Sequence, residues 1–290
     1  MTKQPTVAIT GANGFVGTIL VNYFASKGWQ VVGLVRDPAK FTPQPNVRYV
    51  KYDLAKPIAR DAFKGVTYIV HTAYLKHDSQ HTDAFDINLT AAKRLVKAAK
   101  DNKVKKIVFM SSMSAHDQAI SVYGKQKLAI EKLITDAGGV SLRAGLIIGD
   151  GGIVKQMSEF MKSKHMVPLV GGGKQPLQII SVHDLARVIE QALVRKATGV
   201  FTVAHPTVYT YRSFYQNLAN HLQIKVVFVP VPFYLLLGMM RTIALLRLPL
   251  AVSEDSLWGL KALCSTETEA DLAKLGVTLY DLPQALQKSI

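Results

Sequence analysis

Tyr123 and Lys127 stand four residues apart, and Ser111 and Ser112 precede them at the end of an apolar run. Residues four apart share one face of a helix. A lysine ammonium on that face favours the tyrosinate and lowers the tyrosine pKa, which makes Tyr123 a proton donor or acceptor usable near neutral pH. Such a pair is common on surface helices, so its meaning depends on what surrounds it. Near the start of the chain, Thr10-Gly11-Ala12-Asn13-Gly14-Phe15-Val16-Gly17 joins a strand-like run to a helix-like run. Without Cβ atoms, Gly11 and Gly14 can take positive φ and let backbone N–H groups approach a pyrophosphate, while Gly17 lets the helix pack close to the strand. The phosphates would face the helix N-terminus, where unpaired N–H groups and the dipole favour negative charge. The two clusters together predict a dinucleotide beside a proton-transferring tyrosine.

Both clusters need a scaffold that brings strand ends to one edge. Thr6 to Ile9, Trp29 to Val35, Val47 to Tyr52, Val66 to Ala73 and Lys106 to Met110 read as buried strands. Between them lie helical patterns: Phe15, Ile19, Leu20, Tyr23 and Phe24 in one, and Phe85, Leu89, Ala92, Leu95, Val96 and Ala99 in another. Repeating βαβ units predict an α/β Rossmann fold, a doubly wound parallel sheet with right-handed crossovers, whose ligands lie beyond the C-terminal strand ends. Those ends carry the glycine loop, Asp53-Leu54, His71-Thr72-Ala73 and Ser111-Ser112. At the tip of the second strand stands Arg36, which suits a ribose 2′-phosphate and so NADP over NAD, with Lys40 a possible second cation; Asp37, one residue later, could still reach the ribose.

The chain of 290 residues is long enough for this core, placed at 1–150, and a smaller C-terminal α+β substrate-binding portion at 151–290, with 177–204 returning to the first part. An apolar content of 49% excludes disorder. The single cysteine, Cys264, forms no internal disulfide and reads as a small buried apolar residue. Met1-Thr2-Lys3-Gln4-Pro5 leads straight into a strand without a signal peptide, and a cytoplasmic protein is expected. The net charge of +15 suits anionic partners, but the basic residues are scattered and no nucleic-acid-binding motif is present, so no nucleic acid is expected. His77, His81 and His116 lack ligand-like spacing, which argues against a metal.

Taken together, the glycine loop, Asp53-Leu54, His71-Thr72-Ala73, Asn88, Ser111-Ser112 and Tyr123 with Lys127 resemble the extended or atypical short-chain dehydrogenases/reductases, the NAD(P)-dependent epimerase/dehydratase superfamily. The resemblance implies that Tyr123 is the catalytic acid/base, that Lys127 binds the nicotinamide ribose and tunes Tyr123, and that Ser112 holds the substrate oxygen, with Ser111 and Ser114 as alternates. It implies cofactor contacts from Gly11, Asn13, Gly14, Phe15, Val16, Gly17, Arg36, Asp53, Leu54, Ala73, Ser111, Tyr123 and Lys127, and a supporting role for Asn88 at the central strands. Asp53 would accept from the adenine amino group. Leu142-Arg143-Ala144-Gly145 resembles the family's Arg-Pro-Gly stretch, with Ala144 in place of proline. Met113-Ser114 stands where the family's dehydratases carry an acidic pair, which argues against elimination.

The stretch from Val226 to Val252 is apolar and contains Phe233-Tyr234-Leu235-Leu236-Leu237-Gly238-Met239-Met240. Pro230, Pro232, Arg241, Arg247 and Pro249 leave no uncharged run of about 20 residues, so it does not span a membrane. It reads as a buried helix, a cap over an apolar substrate, or an interfacial helix with peripheral membrane association; its character is weakly similar to the NAD(P)H-binding accessory subunit of respiratory complex I. The readings that follow are an NADP-dependent oxidoreductase acting on a carbonyl or alcohol of a largely apolar small molecule, an epimerase of a sugar-type substrate, or a non-catalytic NADP-binding protein at a membrane. Arg212, Arg241 and Arg247 are the arginines the later part of the chain could turn to a nucleotide diphosphate.

Overall fold

In the computed structural model, which describes residues 4–42, 44–59, 61–76, 83–245 and 253–290, the first half of the chain alternates strand and helix. Of the first five strands, β1 (Thr6–Thr10), β2 (Gln30–Val35), β3 (Val47–Lys51), β4 (Tyr68–His71) and β5 (Lys106–Ser112), all but the edge strand β3 carry near-continuous apolar runs. Such runs belong to strands covered on both faces. Alternation assigns the faces: Val7 and Ile9 pack with Leu20, Val21 and Phe24 of α1 (Phe15–Ser26), whereas Ala8 packs with Ala92 and Leu95 of α2 (Ala84–Asp101). The second face is completed by Ile130 and Ile134 of α3 (Val122–Asp136).

After β6 (Val140–Ala144) the chain builds β7 (Leu146–Ile148), α4 (Gly152–Lys164), β8 (Met166–Val170), β9 (Pro176–Leu177), β10 (Ile179–Ser181), α5 (Val182–Val194) and β11 (Gly199–Val203). The main sheet has seven strands in the order β11-β6-β5-β4-β1-β2-β3, all parallel. It is therefore a Rossmann-like sheet. Its order reverses direction at β1, which leaves a crevice beyond the C-terminal ends of β1 and β4. Strand β10 pairs with β7 outside this sheet, and α5 packs under it beside α1.

The smaller C-terminal part has its own core, where Val154, Met161, Ile179, Phe214 and Leu218 meet Leu282 and Leu286. It contains β12 (Tyr209–Thr210), α6 (Tyr211–His221), β13 (Val227–Val231), α7 (Phe233–Leu245), α8 (Glu254–Lys261), α9 (Glu269–Leu275) and α10 (Leu282–Ser289). The apolar stretch from Val226 is thus not one helix: Val227–Val231 pairs in parallel with β8, because Pro230 and Pro232 forbid a helix there, and the helix starts at Phe233. Arg247 and Pro249 lie outside the described residues. Among those residues no helix is long and apolar enough to cross a membrane. Helix α9 covers the outer edge of β11, and the Asp271 carboxylate accepts the N–H of Thr202 at 2.8 Å.

Candidate active site

The glycine loop forms a tight turn between β1 and α1. Gly11 has φ of +66°, and a Cβ at Gly17 would lie 2.1 Å from the Gly11 carbonyl oxygen, so that oxygen and the helix can meet only where residue 17 has no side chain. Gly14 corrects the expectation of positive φ. It is the helix N-cap with φ −80° and ψ 170°, an extended conformation open to any residue. Facing the turn is the loop after β4. Thr10 Oγ1 accepts the N–H groups of Thr72 and Ala73, both at 3.1 Å, and lies 2.7 Å from His71 Nδ1. With two donors already aimed at its oxygen, the Thr10 hydroxyl donates to Nδ1. Burial first, and Lys127 second, hold His71 down at about 3, so the ring is a neutral acceptor there. Asn88 does not reach the central strands: it clamps the next turn of this loop, accepting from Leu75 N at 2.9 Å and donating to Leu75 O at 2.8 Å.

Between these two loops is a cavity of about 310 Å³ lined by Gly11, Asn13, Gly14, Arg36, Asp53, Leu54 and Ala73. Tyr52 also lines it, and its buried hydroxyl has no hydrogen-bond partner among the described residues. A positive-φ glycine, a helix N-terminus, a cation at the β2 tip and an unpartnered hydroxyl fit the adenosine and pyrophosphate of a dinucleotide. Val16 and Gly17 stand behind the cavity within α1, and Phe15 lies elsewhere, its ring against the backbone of Gly149 and Gly151.

A second cavity, of about 440 Å³, is lined by Phe15, Ser112, Ser114, Tyr123 and, from the C-terminal part, Leu177, Gln178, Tyr211, Asp255 and Leu263. Tyr74 lines both cavities, so the two form neighbouring stretches of one crevice. Ser112 and Ser111, adjacent on β5, point to opposite sides. The Ser112 hydroxyl accepts from Ser114 N at 3.1 Å and lines the second cavity together with Tyr123. The Ser111 hydroxyl turns away and donates to Glu131, whose buried carboxylate is also bound by Arg143 at 2.7 Å. Ser111 therefore cannot offer its hydroxyl to substrate or cofactor, a correction that follows from strand alternation.

Lys127 is 5% exposed; its ammonium donates to the Met110 carbonyl at 2.7 Å and lies 4.7, 5.2 and 5.6 Å from the ring centres of Phe109, Tyr74 and Tyr123. Burial lowers its pKa to about 8, while the Glu131 carboxylate acts in the opposite direction. Tyr123 itself departs from the expectation. Burial pushes its phenol above the usual value, and the neighbouring Ser112 hydroxyl only partly offsets this. The reason is geometric: the ammonium is held by Met110 and faces the tyrosine ring, not its oxygen. At neutral pH Tyr123 is therefore a phenol, poised to give a proton.

Sequence reasoning missed Asp255. Its carboxylate accepts the backbone N–H of Val122 at 2.6 Å and of Tyr123 at 3.2 Å, so it caps the helix that carries both Tyr123 and Lys127. Ser121 supplies the local cap to Gly124 N at 3.1 Å. An acidic residue in the first turn of α8 ordinarily serves its own helix. Here Ser253 caps α8, and Asp255 is turned across to a residue 132 positions away. Cys264 also departs from expectation, since it is exposed at the rim of the second cavity. Among the described residues no group of His, Cys, Asp and Glu could hold a metal ion; His77 and His81 lie outside them.

The chain is 33% identical over 151 residues to "Ceramide reductase" of Caulobacter vibrioides, covering 50% of this chain and 47% of that one. It is 23% identical over 240 residues to a mitochondrial "NADH dehydrogenase [ubiquinone] 1 alpha subcomplex subunit 9" of Arabidopsis thaliana, covering 78% and 60%. The chain thus spans about half the length of the curated relatives it matches. Among solved structures, MoeE5 in complex with UDP-glucuronic acid and NAD superposes with a TM-score of 0.78 at 19% identity over 98% of this chain and 97% of that one, a likeness of fold. Residues 7–204 match the family described as NAD dependent epimerase/dehydratase, for which NAD(P) is the expected cofactor, and the chain belongs to that family.

Proposed function

We propose that the protein is an NADP-dependent reductase that acts on a carbonyl group of a neutral, largely apolar molecule. The observation that carries this reading is a protonated Tyr123 phenol beside Ser112 on the wall of a cavity whose only charged lining residues, among the described ones, are Lys76 and Asp255. The glycine loop, Arg36, Asp53, Leu54, Ala73 and Lys127 would hold NADPH, which would supply hydride to the carbonyl carbon. Ser112 donates a hydrogen bond to the carbonyl oxygen, and Tyr123 gives that oxygen its proton. The tyrosinate left behind is re-protonated from water. The C-terminal part, from residue 151 onward, closes the substrate side.

The epimerase reading asks for cations facing a nucleoside diphosphate. Arg212 instead stacks on Phe228 at 5.3 Å and Arg241 pairs with Glu254 at 2.7 Å, and neither lines the cavity. The name of the Caulobacter relative points to a lipid and a reduction. The test is a titration of NADPH against NADH, followed by turnover on a panel of apolar ketones and aldehydes. Arg36→Ala should erase the preference for NADPH. Tyr123→Phe should lower turnover by about 10²–10⁴-fold while NADPH affinity holds. Equal turnover by wild type and Tyr123→Phe would remove the tyrosine from the mechanism. Tight NADPH binding with no turnover would favour a nucleotide-stabilised, non-catalytic protein.

A further inference from the structure

From Phe233 to Met240, helix α7 is apolar on both sides. Its inner side is accounted for: Leu237 and Met240 are buried with Leu257 of α8, and Phe233, Leu236 and Trp258 pack against them. Its outer side faces water with Tyr234 at 70%, Leu235 at 58% and Met239 at 52% exposure. Leu235 and Met239 are one turn apart and share a face. Single exposed apolar residues need no explanation, but two successive helical turns apolar on both faces do.

The charges around the face say what could cover it. No aspartate or glutamate occurs from Val226 to Val252, in a chain of net charge +15. The Lys261 ammonium lies 4.8, 5.0 and 5.4 Å from the rings of Phe233, Tyr234 and Trp258 and donates to the Tyr234 hydroxyl at 3.1 Å. Tyrosine and lysine in one cluster present apolar bodies with polar tips, the arrangement suited to the level of lipid headgroups. A second copy of the chain fits less well, because it would bring a like cation and a like net charge to the same face.

We infer that the outer face of α7 docks on the surface of an anionic lipid bilayer, with Leu235 and Met239 entering the headgroup region and Lys261 beside the phosphates. Helix α7 packs on α8, and α8 and the residue before it wall the second cavity through Ser253, Asp255 and Ser256. Docking therefore brings the cavity wall to the membrane. That this delivers substrate rests on the reductase reading; the docking itself does not.

The test is co-sedimentation of the full chain with vesicles of phosphatidylcholine, with and without phosphatidylglycerol, at low and high salt. Wild type should pellet with the anionic vesicles at low salt and be released by high salt. The double variant Leu235→Glu/Met239→Glu should weaken binding at least ~10-fold, and Lys261→Glu should weaken it on anionic vesicles. Both positions of the double variant are exposed, and an unchanged NADPH titration and melting curve would show that it is folded. A wild type that stays in the supernatant, or a double variant that binds like wild type, overturns the inference. A doubled mass in size-exclusion light scattering, lost in the double variant without any vesicle binding, would assign the face to a second copy. Intact vesicle binding in a protein that fails to bind NADPH would sink the reductase and leave the docking standing.

Discussion

Replacing Lys127 by methionine should make the protein more stable at pH 7 while abolishing the carbonyl reduction proposed for it. The ammonium is buried, and burial takes its pKa from the ordinary 10.5 to about 8. At 1.36 kcal/mol per unit, this places a cost of ~3 kcal/mol on the folded state while the group is charged. Methionine has nearly the same length and no charge, so the cost goes. Wild type alone has the hydrogen bond to the Met110 carbonyl and the cation–π interactions with Phe109 and Tyr74, and these return about 1–2 kcal/mol to it. A net gain of about 1–2 kcal/mol for Lys127→Met is the expected result at pH 7. The pH dependence is the sharper signature. Between pH 8 and 10.5 the unfolded wild-type chain keeps the lysine proton and the folded chain does not, so wild-type stability rises relative to the variant. The penalty is full below pH 8 and gone above 10.5. Urea denaturation of both proteins across this range, with other titrating groups common to both, reads the difference directly. A variant that is less stable at pH 7, by a gap that stays flat up to pH 10.5, would refute the account of a lysine held against its desolvation for function.

Gly17→Ala should fold poorly at the β1–α1 turn and weaken NADPH binding by ~100-fold or more, because the added Cβ falls 2.1 Å from a backbone oxygen that cannot rotate away; fluorescence titration of NADPH measures this. Asp255→Ala should cost about 1–2 kcal/mol in denaturant unfolding, since two N–H groups at the start of α3 lose their anionic acceptor. Asp255→Asn, which retains one acceptor oxygen, should recover part of that loss.

How much of this was readable depends on the range of the interaction. The strands from Val7 to Met110 were legible because both faces of the sheet are buried, which leaves runs such as Val31-Val32-Gly33-Leu34-Val35 without polar interruption. The glycine loop was legible as a unit, but not the share of each glycine: only the folded turn shows that Gly14 is extended and that Gly17 is held by a carbonyl oxygen. At the site, residue types placed Ser112, Tyr123 and Lys127 near one another. Electrostatics inverted the expectation, since the Met110 carbonyl captured the ammonium and left burial to govern the phenol. Asp255 had no signal at all. Its partner is a backbone N–H, and a backbone group carries no mark in a sequence. The stretch after Val226 misled for a related reason: an apolar run without clear period does not separate a strand from a helix, and Pro230 and Pro232 were the only local clue to β13.

The carboxylate of Asp271, bound to Thr202 N, has a further effect on the life of this protein in solution. Strand β11 is the last of the seven and would otherwise present a row of free donors and acceptors, ready to recruit a strand from another molecule. Val200 on that strand is 39% exposed, so the rim would be apolar as well as unpaired. Helix α9 thus acts as a guard against sheet extension, and Asp271 is its latch. A variant such as Asp271→Leu would keep the fold and the pocket, yet lower the concentration at which the protein begins to assemble into sheet-joined aggregates.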